Sequence, residues 1–397
     1  FRVMLIVGAA LAFRMTVAPL SPRLSEDLYR YRWQGMLQAA GGNPYVEIPQ
    51  DRKWAGLRDA AWDQVNCKDL PSVYGPAYEL LYAGWLGVAS RLWDDPHRQA
   101  WSFKLPFALL ELGVGAALLW LLRLWRMPAE RAVVYLWSPL IVVEFWAQGH
   151  NDPLAVLFVL LALCLAKLER WPWAFAALAV ATMAKFWPGV LFPFFLLQRV
   201  DGRWRFRWKP ALAAIPVALL LSLPYLGALA NVTKLLEGFV GGWRNNDSLY
   251  GWIYAWANQD FQRGTTLVTR LMLAALAALW ALRLCLLRAA LWAPVVLLFL
   301  SANCFPWYLS WFLPLLALFP NAALLLWSAT VVLAYNVLIP YAALGEWRYD
   351  DSLLRLEYWP VFGLLALTGL RRGYRRLHRN RASACSASGS PYGHAER

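Results

Sequence analysis

Five short stretches of this sequence carry polar chemistry beside long apolar runs. The first is Ser25-Glu26-Asp27-Leu28-Tyr29-Arg30-Tyr31, in which two adjacent carboxylates follow an apolar run at once. A carboxylate there suits a general base, which takes the proton of a hydroxyl as that hydroxyl attacks a sugar carbon. Desolvation near a membrane boundary would raise its pKa and improve it as a base. The plainer reading is an acidic pair at a helix start, where the helix dipole favours negative charge.

The second stretch is Gly149-His150-Asn151-Asp152-Pro153. His150, Asn151 and Asp152 are suited to sugar hydroxyls or a phosphate, although Asn or Asp before Pro is also an ordinary helix start. Third is Lys185 in Ala184-Lys185-Phe186-Trp187-Pro188-Gly189. A lysine costs about 2.5–3.5 kcal/mol at the centre of a membrane span. No neighbour in sequence neutralises Lys185, so a lipid phosphate or pyrophosphate is its expected counter-ion; a snorkelling side chain is the alternative. Fourth is Trp243-Arg244-Asn245-Asn246-Asp247-Ser248, a dense hydrogen-bonding set for a sugar or phosphate, or else a turn rich in Asn and Asp. Fifth is Phe305-Pro306-Trp307-Tyr308-Leu309-Ser310-Trp311. Its aromatics would stack on a sugar or a polyprenyl chain, or simply belong to an interfacial belt. The sequence has no Gly-rich phosphate loop, metal-ligand spacing or Ser-His-Asp signature. No metal site or cofactor is expected.

These stretches must be positioned by membrane helices. Of 397 residues 60% are hydrophobic and 16% charged, against about 45–50% and 25% in soluble domains. The apolar residues fall in runs near 1–20, 101–123, 131–147, 152–168, 172–198, 210–226, 264–283, 290–304, 305–319, 321–341 and 357–371. A straight span needs about 20 residues, so the shorter runs must tilt, break or pair. The net charge of +14 lies in short loops and the tail. That is the positive-inside pattern, not a nucleic-acid surface. Basic clusters at 123–131, 167–170, 199–209, 283–288 and 371–381 are therefore placed in the cytoplasm.

With that orientation, run 172–198 becomes a hairpin turning at 184–189, and runs 290–319 a second one turning at 303–307. The segment 72–90 contains Glu79 and Pro76, and is expected to lie in the outer leaflet rather than cross it. Loops 21–100, 149–152, 227–263 and 342–356 then share one face. The first run is read as a span, not a cleaved signal. Five cysteines form no disulfide framework, though Cys67 and Cys304 fall on the same side, where a bridge stays open to them.

The ordered segments Ser25–Tyr45, Val73–Tyr82, Gly149–Phe158, Ala184–Phe194, Arg244–Trp252 and Phe305–Leu316 together resemble bacterial polyprenyl-phosphate-mannose-type glycosyltransferases of the GT-C fold. They are more distantly similar to the catalytic subunit of the first mannosyltransferase of GPI-anchor assembly. The resemblance runs through most of residues 1–320. It implies an all-α, polytopic transmembrane bundle with broken helices and a large first outer loop, 21–100, carrying amphipathic helices. About 11–13 membrane helices would fill residues 1–371, and 372–397 would be a basic cytoplasmic tail without structure. The implied base is Asp27 or Glu26, with Asp27 first because it precedes Leu-Tyr-Arg-Tyr. Tyr29, Arg30, Tyr74, Trp307 and Tyr308 join His150, Asn151, Asp152, Lys185 and the residues Arg244, Asn245, Asn246 and Asp247 as expected substrate contacts.

The expected reaction moves a hexose, mannose on the resemblance, from a polyprenyl-phosphate donor to a hydroxyl of a lipid- or glycan-linked acceptor. It proceeds with inversion, on the outer face. The expected partners are that donor, that acceptor and membrane lipids, with no nucleic acid. A transporter or flippase of lipid-linked sugars is the alternative, but it calls for intramembrane charges spread over pseudo-repeats, and the sequence shows no repeat.

Overall fold

A computed structural model of the chain describes residues 1–200, 203–228 and 244–387. It is an all-α membrane bundle. Among the described residues, the two strands Leu197–Val200 and Arg203–Phe206 form a single antiparallel pair. Among the described residues, five helices are long and apolar enough to cross a membrane: Pro96–Leu124, Trp208–Ala228, Phe261–Ala281, Ala322–Leu344 and Asp351–Arg371. Shorter apolar helices span Pro153–Lys167, Trp171–Ala184, Trp187–Leu196 and Leu286–Leu300. Leu219, Leu220, Leu223, Leu271 and Leu273 point outward on two of the long helices. So large an apolar surface is stable against lipid tails and unfavourable in water.

Proline breaks the other runs where its missing N–H and ring cannot continue a helix. Run 131–147 becomes a 3₁₀ turn, the short helices Val133–Leu136 and Pro139–Val142, and a π-helical turn, Val143–Ala147. Run 305–319, expected as the second arm of a hairpin, is instead two 3₁₀ segments, Pro306–Trp311 and Leu313–Ala317, each opened by proline. The helix Trp171–Ala184 ends where expected, with Lys185 extended. The C-terminal helix runs Asp351–Ala387, so the backbone stays helical beyond 371, where a tail without structure was expected; 388–397 lie outside the described residues. Cys67 and Cys304 are free thiols, not a bridge.

The first loop is a folded unit. The opening helix Arg2–Val17 leads into a second helix, Asp27–Ala39, which packs on a third, Pro76–Leu92. That third helix is anchored at its start. The Gly75 N–H donates to the Ala184 carbonyl at 3.0 Å, and a Cβ on Gly75 would lie 2.0 Å from the Met183 carbonyl oxygen. Only glycine permits this approach, and it brings the first loop against the turn that carries Lys185. Tyr31, Tyr78, Tyr82, Phe103 and Phe107 form the aromatic core between loop and bundle. Tyr31 and Tyr82 stack at 4.7 Å between ring centres.

Candidate active site

Asp27 is the first residue of the helix Asp27–Ala39, and Glu26 is its N-cap. Unpaired N–H groups and the dipole favour an anion there. The carboxylate of Asp27 is held from three directions. Asn66 donates to Oδ1 at 2.9 Å, the Tyr31 hydroxyl donates to Oδ2 at 3.3 Å, and His150 Nδ1 lies 3.4 Å from Oδ2. Glu26 accepts no side-chain hydrogen bond among the described residues, and its carboxylate is half-buried.

His150 is placed by Gly149, whose φ of +77° suits the left-handed backbone that glycine adopts without strain. The imidazole is 1% exposed and sits between two carboxylates, Asp27 on Nδ1 and Glu144 on Nε2, the latter at 3.3 Å. Neither ring N–H is aimed well enough to count as a hydrogen bond. Trp307 stacks on the ring with 3.6 Å between centres and a 15° tilt. Glu144 lies in the π-helical turn, and both its oxygens accept from the Tyr335 hydroxyl, at 2.9 and 2.8 Å.

Lys185 approaches from the broken helix. Its ammonium donates to Asp152 Oδ1 at 2.7 Å and lies 4.8 Å over the Tyr308 ring. Trp311 donates to the same Asp152 oxygen at 2.6 Å, while the buried Oδ2 has no hydrogen-bond partner among the described residues. Asp152 is thus the counter-ion that sequence inspection did not find for Lys185. The two lie 33 residues apart and meet only in the fold. The Asn151 amide donates to Tyr82 at 2.6 Å, and Tyr78 donates to the Asn151 carbonyl. Tyr74 stands edge-on to Tyr31 at 5.3 Å.

The pKa directions follow from these contacts. Burial pushes the Asp27 carboxyl up, but His150, Asn66 and the nearby Lys185 charge outweigh it and hold it below its ordinary range. Burial raises Glu26; Lys68 opposes that and the Asp27 charge adds to it, and the net shift is upward. For His150, burial alone would lower the value, but Asp27 and Glu144 raise it to about 9. The raised carboxylate expected of the base is therefore a property of Glu26, not of Asp27.

Several expected contacts face elsewhere. The Tyr29 hydroxyl lies 3.2 Å from His97 Nδ1 and accepts from Trp101 at 3.0 Å. Arg30 is buried and donates to the carbonyls of Asn66, Cys67 and Leu70 at 3.2, 2.7 and 2.6 Å. It clamps the loop that carries Asn66 instead of facing outward. Arg244 forms a two-point contact with Asp247 at 2.8 and 3.1 Å and lies over Tyr254. Asn245 pairs through its backbone with Ala302 and Cys304. Asn246 donates to Glu357 at 3.1 Å and to the Cys304 carbonyl at 3.2 Å. These four residues form a second cluster, with Asn245, Asn246 and Asp247 buried and Arg244 exposed at its edge. It joins the first through the chain from Cys304 to Trp307. Trp243 lies outside the described residues. The aromatics of 305–311 do not form a surface belt: Trp307 is buried against His150, and Tyr308 and Trp311 flank Lys185.

Residues 4–201 match the family described as Alpha-(1->6)-mannopyranosyltransferase, N-terminal domain. Over this stretch, just under half of its length, the chain is similar to the alpha-(1->6)-mannopyranosyltransferase family. Among curated proteins, none matches the chain. The family domain contains Asp27, Tyr74, Glu144, His150, Asp152 and Lys185, so mannosyl transfer is the reaction class against which the cluster is read.

Asn66, Glu144 and Tyr335 were not anticipated. Glu144 left a signal, being the lone carboxylate of an apolar run, where a buried acid implies a partner. Asn66 and Tyr335 left none. Among the described residues, no group of three or more His, Cys, Asp or Glu is arranged to hold a metal ion.

Proposed function

We propose that this membrane protein transfers mannose from a polyprenyl-phosphate donor to a hydroxyl of a lipid- or glycan-linked acceptor, with inversion, using Asp27 as general base. The observation that carries the reading is the Asp27 carboxylate at a helix N-terminus, fixed by Asn66 and facing His150, with Lys185 nearby. The acceptor oxygen attacks the anomeric carbon from one face and its proton passes to Asp27. The bond from that carbon to the phosphate oxygen breaks on the other face, and the electron pair leaves with the polyprenyl phosphate. Lys185, held by Asp152 and the faces of Tyr308 and Trp311, is the cation available to the departing phosphate. The reaction site faces outward and the C-terminus lies in the cytoplasm, an orientation supported by the basic clusters.

The test uses purified protein in lipid nanodiscs with polyprenyl-phosphate mannose, other polyprenyl-phosphate hexoses, and membrane lipid extract as acceptor. Asp27→Asn is expected to lower transfer by about 10²–10⁴-fold with folded protein still recovered. Full activity in Asp27→Asn together with loss in Glu26→Gln would move the base to Glu26. Full activity in both would remove the carboxylate mechanism.

A further inference from the structure

His150 does not touch the acceptor in this scheme, yet it is fully buried beside the base. A neutral imidazole has one N–H and one lone pair. Because Asp27 and Glu144 flank its two nitrogens at 3.4 and 3.3 Å, either neutral tautomer would turn a lone pair toward a carboxylate oxygen. Only the imidazolium carries a proton on both nitrogens and sets positive charge beside both carboxylates, although neither N–H is aligned as a hydrogen bond. Trp307 adds its ring face at 3.6 Å, an arrangement that favours a cation. Glu144 in turn has both oxygens held by the Tyr335 hydroxyl.

We propose that Glu144, backed by Tyr335, is a positioning residue for the base: it fixes His150 as the cation that keeps Asp27 ionised and in place. The inference rests on Asp27 as base and extends it to two residues that touch neither donor nor acceptor. Other charges near Asp27 contribute less than His150. Lys185 also favours ionised Asp27, but only from a distance and while paired with Asp152, and Arg30 is bound to loop carbonyls. Glu26 and Cys67 contribute only negative charge when ionised, as do the phenols Tyr31, Tyr74, Tyr308 and Tyr335. Asp152, on the same turn as His150, faces Lys185.

Glu144→Gln keeps the shape and removes the charge. His150 can then be neutral, with its Nδ1–H toward Asp27, and burial of Asp27 goes less opposed. The acidic limb of kcat/KM for transfer from polyprenyl-phosphate mannose should move to higher pH by about one unit or more. Tyr335→Phe should shift it the same way by less. A purely packing role would lower activity at every pH and leave the limb in place. Superimposable normalised pH profiles for wild type and Glu144→Gln overturn the proposal. If Glu144→Gln is not recovered folded or is inactive throughout, Tyr335→Phe decides by the same criterion. The outcome is separable from the base assignment. Asp27→Asn inactive with an unmoved Glu144→Gln profile rejects only this inference, whereas active Asp27→Asn rejects the base reading beneath it.

Discussion

The opening helix ends ten residues before Asp27, and it carries a buried ion pair to the bundle. Arg14 is 1% exposed and Glu111 fully buried. The guanidinium donates to Glu111 at 2.8 and 2.6 Å, and to the Ala10 and Leu136 carbonyls at 2.9 and 2.8 Å. Trp146 adds a third bond to Glu111 at 2.9 Å. Glu111→Leu leaves Arg14 charged and buried with only two carbonyl acceptors, and strips Trp146 of its partner. Removing one member of a buried pair costs about 3–5 kcal/mol. The retained carbonyls put this case at the lower end, about 3 kcal/mol. Taking about 2 °C per kcal/mol for a large chain, the melting temperature should fall by about 6 °C. The double variant Arg14→Leu/Glu111→Leu buries no charge and should recover most of that loss, because apolar replacement of a whole pair is often neutral. The assay is thermal unfolding in nanodiscs, comparing the two single variants with the double. Additive losses would refute the reasoning, since they would mean that the ions contribute independently and that neither is stranded by loss of the other.

Three further outcomes follow from the geometry. Asp27 lies below its usual pKa of 3.8 and Glu26 above its usual 4.5; with Asp27 as base, kcat/KM should stay level as pH falls to 4.5, whereas an acidic limb above that value would assign the base to Glu26. The sign for stability is parallel: Asp27, with its folded value depressed, stabilises the fold fully above 3.8 and ceases to do so as pH falls through the folded value. Gly75→Ala would set a Cβ 2.0 and 2.5 Å from the Met183 and Ala184 carbonyl oxygens; backbone must move, at a cost of about 1–3 kcal/mol, and transfer should fall with stability because the Lys185 turn is displaced from the first loop. Thermal unfolding alongside the transfer assay checks this.

The sequence by itself determined the class of the protein. Apolar runs of membrane length and basic clusters beside them specify a membrane helical bundle, because each segment carries its own transfer energy and needs no partner to be recognised. The break at Ala184–Gly189 was legible for a similar reason, since a Pro-Gly pair disfavours continuing a helix, although Pro294 and Pro360 are accommodated inside helices elsewhere. The carboxylate pair, His150 and Lys185 were also visible, as polar residues in apolar surroundings. The tertiary structure decided what each of them faces. Lys185 meets Asp152, and His150 meets both Asp27 and Glu144. Tyr29, two residues on from Asp27, points about 200° away around the helix and meets His97, whereas Arg30, three residues on, is taken up by the loop carbonyls of Asn66, Cys67 and Leu70. Pairings across 33 and 123 residues depend on how helices pack. No local signal encodes that packing, so the same residues read alone as an unpaired lysine and a helix cap.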